Sequence, residues 1–455
     1  MVMIPFIGFS FYAKQNMLGF TDSETPFYIW NKLFCYTTQE EKIDVIILGD
    51  STANASYMPE VLSGSVVNLS LGGTTPIENY YILKNYLDHN DAPEDVFISF
   101  MDGHLSTADC YWTRCLYSHR FSLKDNWEIL RKADKFYEES ITNENEYLDF
   151  LAYELYLPNK YITSMINAGF NQRLEENTIA YEAVDLHSGR YMAVGNDEGS
   201  FEGVHYDEFY VEPLFDYYYK KLICLCIENG SNVHIVKLPL LAASSYSDDY
   251  REQFYNYYNQ LQEEYPSITV EWYSEGYENH YFIDSGHMNT HGAFKFSEML
   301  KAEYPQIFDG ALSDKQKECL DQDVRDENKI EELVKWCKND RYSLIVYDSR
   351  GDFETMYENG FKQDVLKLKQ FVVNGNETNI YILGSSEYAS QFDSIIMNDK
   401  EIEIYPDRNV DPDSMYLWDT SECNGIDTIV INNEDGTVVT EKQFDCVEDL
   451  YFVLK

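Results

Sequence analysis

A run of buried-type residues that ends in a tight turn is the strongest constraint in this chain. Ile43-Asp44-Val45-Ile46-Ile47-Leu48 leads straight into Gly49-Asp50-Ser51. An apolar stretch of this length, stopped abruptly by glycine, is the pattern of a parallel strand covered on both faces. Glycine at the stop lets the backbone turn sharply and presents Ser51 at the strand's carboxyl edge, where open α/β sheets hold their ligands. Further strand-like runs follow at Val66–Leu69, Val96–Phe100, Val233–Leu238 and Ile268–Trp272, separated by helical candidates. Pro76 suits the first turn of a helix through Asp88, and Glu212–Glu228 ends in Asn229-Gly230 as a helix should. This alternation predicts an α/β fold with a doubly wound parallel sheet.

A serine at such an edge becomes a nucleophile when a histidine can take its proton. Asp284-Ser285-Gly286-His287, far downstream, supplies one, and the spacing lets the carboxylate orient the imidazole. Each residue alone also fits a duller role, Ser51 as a structural turn and His287 as a surface histidine beside a helix.

Together these segments resemble the SGNH/GDSL hydrolase superfamily. Gly49-Asp50-Ser51 matches its first block, and Asp284-Ser285-Gly286-His287, continued by Asn289 and Gly292, its last. Val66-Val67-Asn68-Leu69-Ser70-Leu71-Gly72-Gly73-Thr74 resembles the second, with Gly73 at the oxyanion glycine. The third block departs: where the family carries Gly-x-Asn-Asp, this chain has Met101-Asp102-Gly103-His104. The resemblance implies a flavodoxin-like sheet and a catalytic set of Ser51, Asp284 and His287, without metal or cofactor. It implies an oxyanion hole from the backbone of Ser51 and Gly73. The place of the missing asparagine is left to His104, a cap residue or water.

The resemblance spans about 40–308, after a segment 1–39 that is apolar at its start and reads as an anchor stub or a packing segment. Between about 106 and 203 the alternation breaks, and a helical cap over the active edge is expected there. Trp112, Arg114 and His119 are candidate substrate-binding residues in that insertion. A linker is expected at 309–327. Beyond it, 328–455 is expected to be a smaller α+β domain: strands at Tyr342–Tyr347 and Thr378–Leu383, a helix at Lys362–Phe371, and hairpins around Asn398-Asp399 and Asn433–Gly436. Ser394–Glu401 and Gly425–Asn432 resemble an ILEI/PANDER-like domain, which implies ligand binding or packing rather than chemistry. Tyr381-Ile382-Leu383-Gly384-Ser385-Ser386 imitates the nucleophile strand, but no Asp-x-x-His follows it.

Composition narrows the partners. The 455 residues carry 34 basic against 79 acidic side chains, a net charge of −45. That field repels nucleic acid and anionic lipid. Nine cysteines show no zinc spacing, and Cys110 and Cys115 could bridge a loop, a pairing that the sequence leaves open. Aromatic content is 16%, with 39 tyrosines, which suits packing and also the apolar faces of sugars. The family resemblance implies an O-acylated glycan or polysaccharide substrate, cleaved by an esterase or passed on by an O-acyltransferase. It also implies an extracytoplasmic, membrane-anchored address beside a membrane-bound acyltransferase. The alternative is a catalytically weak glycan-binding or scaffold protein.

Overall fold

The computed structural model describes residues 8, 12, 15–20, 25–62, 64–108, 110–116, 118–142, 146–154, 172–192, 201–308, 310–337 and 341–348. It further describes the strands between 365 and 403, and residues 426–444 except 435. The chain divides into two compact units, Met1–Cys319 and Leu320–Lys455.

The first unit is an α/β sandwich. Its parallel strands are β1 (Val45–Gly49), β2 (Val66–Asn68), β3 (Asp95–Ser99), β4 (Asn232–Lys237) and β5 (Ile268–Trp272), in the order β2-β1-β3-β4-β5. Register pairs Ile47 with Asn68 on one side and with Phe97 on the other. Side chains alternate between the two faces. Ile46, Leu48, Val96 and Ile98 enter one core with α2 (Thr25–Tyr36), α4 (Pro76–Leu87), α8 (Pro213–Glu228) and α9 (Asp248–Glu264). Val45, Ile47 and Phe97 enter the other with Ala53 of α3 (Ser51–Ser56) and Phe296 and Leu300 of α10 (Thr290–Glu303). Burying each such aliphatic or aromatic side chain contributes about 1.5–3 kcal/mol, so strands that are apolar on both faces are held on both faces. A short helix, α1 (Met17–Phe20), precedes α2.

Local signals set the helix starts. Thr75 and Glu78 form a capping box ahead of Pro76, and Asp50 caps α3 by accepting from the Thr52 N–H. Between 106 and 203 the described elements are a π-helical stretch Tyr111–Leu116, α5 (Leu123–Phe136), α6 (Glu146–Glu154) and α7 (Gln172–Leu186). Cys110 and Cys115 are both free thiols, so the loop-bridging disulfide is absent. The stretch 309–327 contains a helix, α11 (Asp314–Asp326).

The second unit pairs α12 (Ile330–Trp336) with an antiparallel sheet. Its strands are β6 (Tyr342–Asp348), β7 (Val365–Val373), β8 (Asn376–Leu383), β9 (Ser394–Met397), β10 (Lys400–Glu403), β11 (Ile426–Asn432) and β12 (Val438–Phe444). The main sheet runs β12-β11-β6-β8-β7, and β9 and β10 form a separate hairpin. The helix expected at Lys362–Phe371 is corrected to strand β7. Leu366-Lys367-Leu368-Lys369 alternates with period two, and β7 pairs with β8 from Val365 to Val373. The Gly384–Ser386 turn of the second serine motif lies outside the described residues, as do most residues of segment 1–13.

Candidate active site

The turn after β1 is held by its neighbours before any chemistry enters. Gly49 has φ +149°, and a Cβ there would lie 2.0 Å from the Ser99 carbonyl oxygen. Only glycine fits. The Asn79 side chain accepts from the Gly49 N–H at 2.8 Å and donates to the Gly49 carbonyl at 3.2 Å, while Thr74 Oγ1 donates to that carbonyl at 2.8 Å. The turn is thereby locked to the start of α4, and Ser51 becomes the first residue of α3.

His287 reaches Ser51 across 236 positions: its Nε2 lies 2.7 Å from Ser51 Oγ. Its Nδ1 lies 2.8 and 2.9 Å from the two Asp284 oxygens. The loop holding this pair is itself organised, because Asp284 Oδ1 also accepts from the Gly286 and His287 N–H groups, each at 2.8 Å. Burial works to raise the Asp284 pKa, but the hydrogen bonds from His287 and the Gly286 N–H outweigh it and bring it down to about 2. An ionised carboxylate fixes the proton on Nδ1, so Nε2 is the acceptor facing the serine. Asn289 then caps α10 by accepting from Gly292 N–H at 3.0 Å.

The second loop reaches the same edge. The Leu71 N–H donates to the Gly49 carbonyl at 3.3 Å, and Gly73 stands at φ +71° against Cys110, whose Sγ would lie 2.0 Å from a Cβ. Neither the Ser51 nor the Gly73 N–H donates to a group among the described residues. Arg114 donates from Nη1 to the Gly72 carbonyl at 3.2 Å, and Tyr28 donates to the same oxygen. Tyr191 accepts from the Gly72 N–H at 2.7 Å.

Among the substrate-binding candidates, Arg114 therefore braces the Gly72–Gly73 loop. Trp112 donates from Nε1 to the Ile141 carbonyl at 2.9 Å. His119 is buried, and its carbonyl accepts from Lys32 Nζ at 2.5 Å. Neither is brought to Ser51 by these contacts.

His104 sits on a 3-10 turn, Asp102–Leu105, directly after β3. Its Nδ1 lies 2.7 Å from Asp50 Oδ2, which also accepts from the Met101 N–H at 2.7 Å. Asp50 Oδ1 takes the Thr52 N–H and hydroxyl. Burial pushes the Asp50 pKa up, yet the bonds from His104, Thr52 and Met101 more than offset it, and the carboxyl is held below its usual range. Asp50 thus ties the Asp102–Leu105 turn to the turn between Gly49 and Ser51.

The sequence reading missed a neighbouring pair. Lys237, at the end of β4, lies 2.6 Å from Asp102, whose other oxygen accepts from Tyr250 at 2.7 Å. The available signal was a lone lysine in the otherwise apolar end of Val233–Leu238. The cleft of about 560 Å³ on this unit lies elsewhere, lined by Tyr80, Phe136, Tyr217, Lys221 and Tyr265 and by none of the residues around Ser51. The geometry at Ser51 is the better guide to chemistry, since a short polar contact series is specific where a groove between helices is not.

No family model matches this chain, and no curated protein matches it.

Proposed function

We propose that this chain is an SGNH-like serine esterase or O-acyltransferase acting on O-acyl groups of a carbohydrate, on a flavodoxin-like sheet. The observation that carries the reading is the series Asp284–His287–Ser51, with a 2.7 Å contact at the serine. In this reading His287 Nε2 takes the Ser51 hydroxyl proton as Oγ bonds to the ester carbonyl carbon. Collapse of the tetrahedral intermediate breaks the ester C–O bond, and His287 returns the proton to the departing alcohol. Water or a sugar hydroxyl then takes the acyl group from Ser51. The Ser51 and Gly73 N–H groups are the donors for the oxyanion, and His104, whose Nδ1 faces the Asp50 carboxylate, joins them only as an imidazolium with a second N–H. A lost donor of this kind costs about 2.7–4 kcal/mol.

The accessory unit, by its resemblance, binds a ligand or packs, and the address proposed is extracytoplasmic. No helix among the described residues is long and apolar enough to cross a membrane.

Fluorophosphonate labelling tests the chemistry. Wild type should label on Ser51, and Ser51→Ala and His287→Ala should not. A folded wild type that fails to label removes the enzyme reading and favours the scaffold alternative. Turnover of p-nitrophenyl acetate with and without an acceptor glycan then separates hydrolysis from transfer by whether the acetyl group appears on the glycan.

A further inference from the structure

A second cluster of reactive side chains lies apart from the Ser51 series. Glu60, His187 and Cys319 come from the loop after α3, the turn that follows α7 and the first half of α11, and all three are buried. Their ligand atoms lie within 4.8 Å of one another. His187 Nδ1 is 3.3 Å from Glu60 Oε1 and 2.9 Å from Cys319 Sγ.

One ring nitrogen bears a hydrogen or a lone pair, never both. As a donor, Nδ1 serves the carboxylate and leaves the thiol hydrogen without this acceptor. As an acceptor, it takes the thiol hydrogen and turns its lone pair toward a carboxylate oxygen. Only the acceptor form sets a lone pair against the carboxylate, since a donor Nδ1 can face both the oxygen and the sulfur, itself a weak acceptor. Glu60 Oε2 is buried and has no partner. Arg190 balances the carboxylate charge through Oε1 at 3.2 Å, and its Nη2 donates to Thr290 Oγ1 at 3.4 Å. That pairing leaves Oε2 unused. A buried oxygen with no donor costs about 1–3 kcal/mol. A cation between the three residues accepts the Nδ1 lone pair, the sulfur and the carboxylate together, and gives the buried carboxylate a second positive partner.

We propose that Glu60, His187 and Cys319 form a structural site for a zinc-class divalent ion, completed by a water. Thiolate, imidazole and carboxylate together suit Zn²⁺ and its Co²⁺ stand-in rather than Mg²⁺ or Ca²⁺. Binding breaks the Cys319 S–H bond and releases that proton to solvent, while His187 binds neutral. The ion acts at a distance on the oxyanion loop. Directly after His187, the Ser188 carbonyl accepts from Asn68 N–H at 2.9 Å, and Asn54 Oδ1 accepts from the Tyr191 and Met192 N–H groups. Tyr191 then holds Gly72. Pinning His187 braces this strap.

The test is a Co²⁺ titration of the full chain, followed by Zn²⁺ competition. The expected result is equimolar uptake with a thiolate-to-cobalt absorption band, displaced by Zn²⁺ and absent from Cys319→Ser and His187→Gln. The melting temperature of wild type should rise with Zn²⁺ and fall with chelator. A wild type without the band, or a Cys319→Ser protein that keeps it, overturns the proposal. Where the variants do not fold, zinc-edge X-ray absorption of the wild-type protein reads the shell directly, and a shell lacking sulfur overturns it equally. None of these readouts depends on turnover.

Discussion

Asp50 and His104, 54 positions apart, meet through a 2.7 Å contact between Oδ2 and Nδ1. Asp50, which shapes the turn between Gly49 and Ser51, therefore also aims the His104 ring. If His104 donates to the oxyanion, His104→Ala should lower kcat on p-nitrophenyl acetate by about 10²–10³-fold with little change in KM. A structural histidine predicts the opposite: a lower melting temperature and an unchanged kcat for the folded fraction. His104→Asn, which keeps a side-chain N–H donor at that position, should recover part of the loss.

Asp50→Asn probes the same link from the other end. An amide can accept the Thr52 N–H and keep the helix cap, but its NH₂ cannot accept from Met101 and His104. The stranded Met101 N–H should cost about 1–3 kcal/mol, read in urea unfolding, and kcat should fall alongside. A variant with wild-type stability and rate would detach Asp50 from both roles.

The acid limb of stability has an identifiable contributor in Asp284. Its folded pKa is depressed to about 2, mainly because the bonds from His287 and Gly286 outweigh burial. The sign follows directly: a depressed carboxyl stabilises the fold fully above its ordinary value near 3.8, and that contribution is lost as pH falls through about 2. The carboxyl is about half exposed, so solvent screens the effect and the change in stability should be small. Carbon-detected NMR should find the Asp284 midpoint near 2 in wild type and shifted upward in His287→Gln. A midpoint unmoved by that substitution would show that the imidazole does not hold the carboxylate.

Much of the first unit was legible because its signals are local. The strands fall within two or three residues of their apolar runs, and Pro76 marks its helix to the residue. The Ser51–His287–Asp284 geometry was legible because each piece is a short motif. What escaped detection depends on tertiary approach. Asp50 with His104, Lys237 with Asp102, and Glu60 with His187 and Cys319 leave no spacing pattern, since the fold alone brings them within reach. The helix expected at Lys362–Phe371 is ambiguous for a different reason: Leu366-Lys367-Leu368-Lys369 carries the two-residue period of a strand, while leucine and lysine are also good helix formers.

Gly49 tests how tightly the turn before Ser51 is built. An alanine Cβ would meet the Ser99 oxygen at 2.0 Å and the Ala53 Cβ at 2.7 Å, on a backbone at φ +149°. The Ser99 atom belongs to the neighbouring strand and has no side-chain freedom to escape. Gly49→Ala should cost about 2–5 kcal/mol in denaturant unfolding. A cost within about 0.5 kcal/mol of wild type, the range of an ordinary surface change, would mean that the turn relaxes freely and does not fix Ser51.

Gly73→Ala separates a steric requirement at the Gly72–Gly73 loop from one of stability. Left-handed backbone costs an alanine about 1–2 kcal/mol, and its Cβ would also press on Cys110 Sγ. Sulfur at the end of a side chain can turn away, so the clash is removable where the backbone strain is not. Gly73→Ala should therefore lose modest stability, and Gly73→Ala with Cys110→Ala should regain part of it. Activity should behave differently. Moving the Gly73 N–H away from the Ser51 carbonyl adduct should depress kcat by at least about tenfold in both variants, since removing the sulfur does not restore the loop. Recovery of full kcat in the double variant would make Cys110 crowding the whole effect and take Gly73 out of the oxyanion hole.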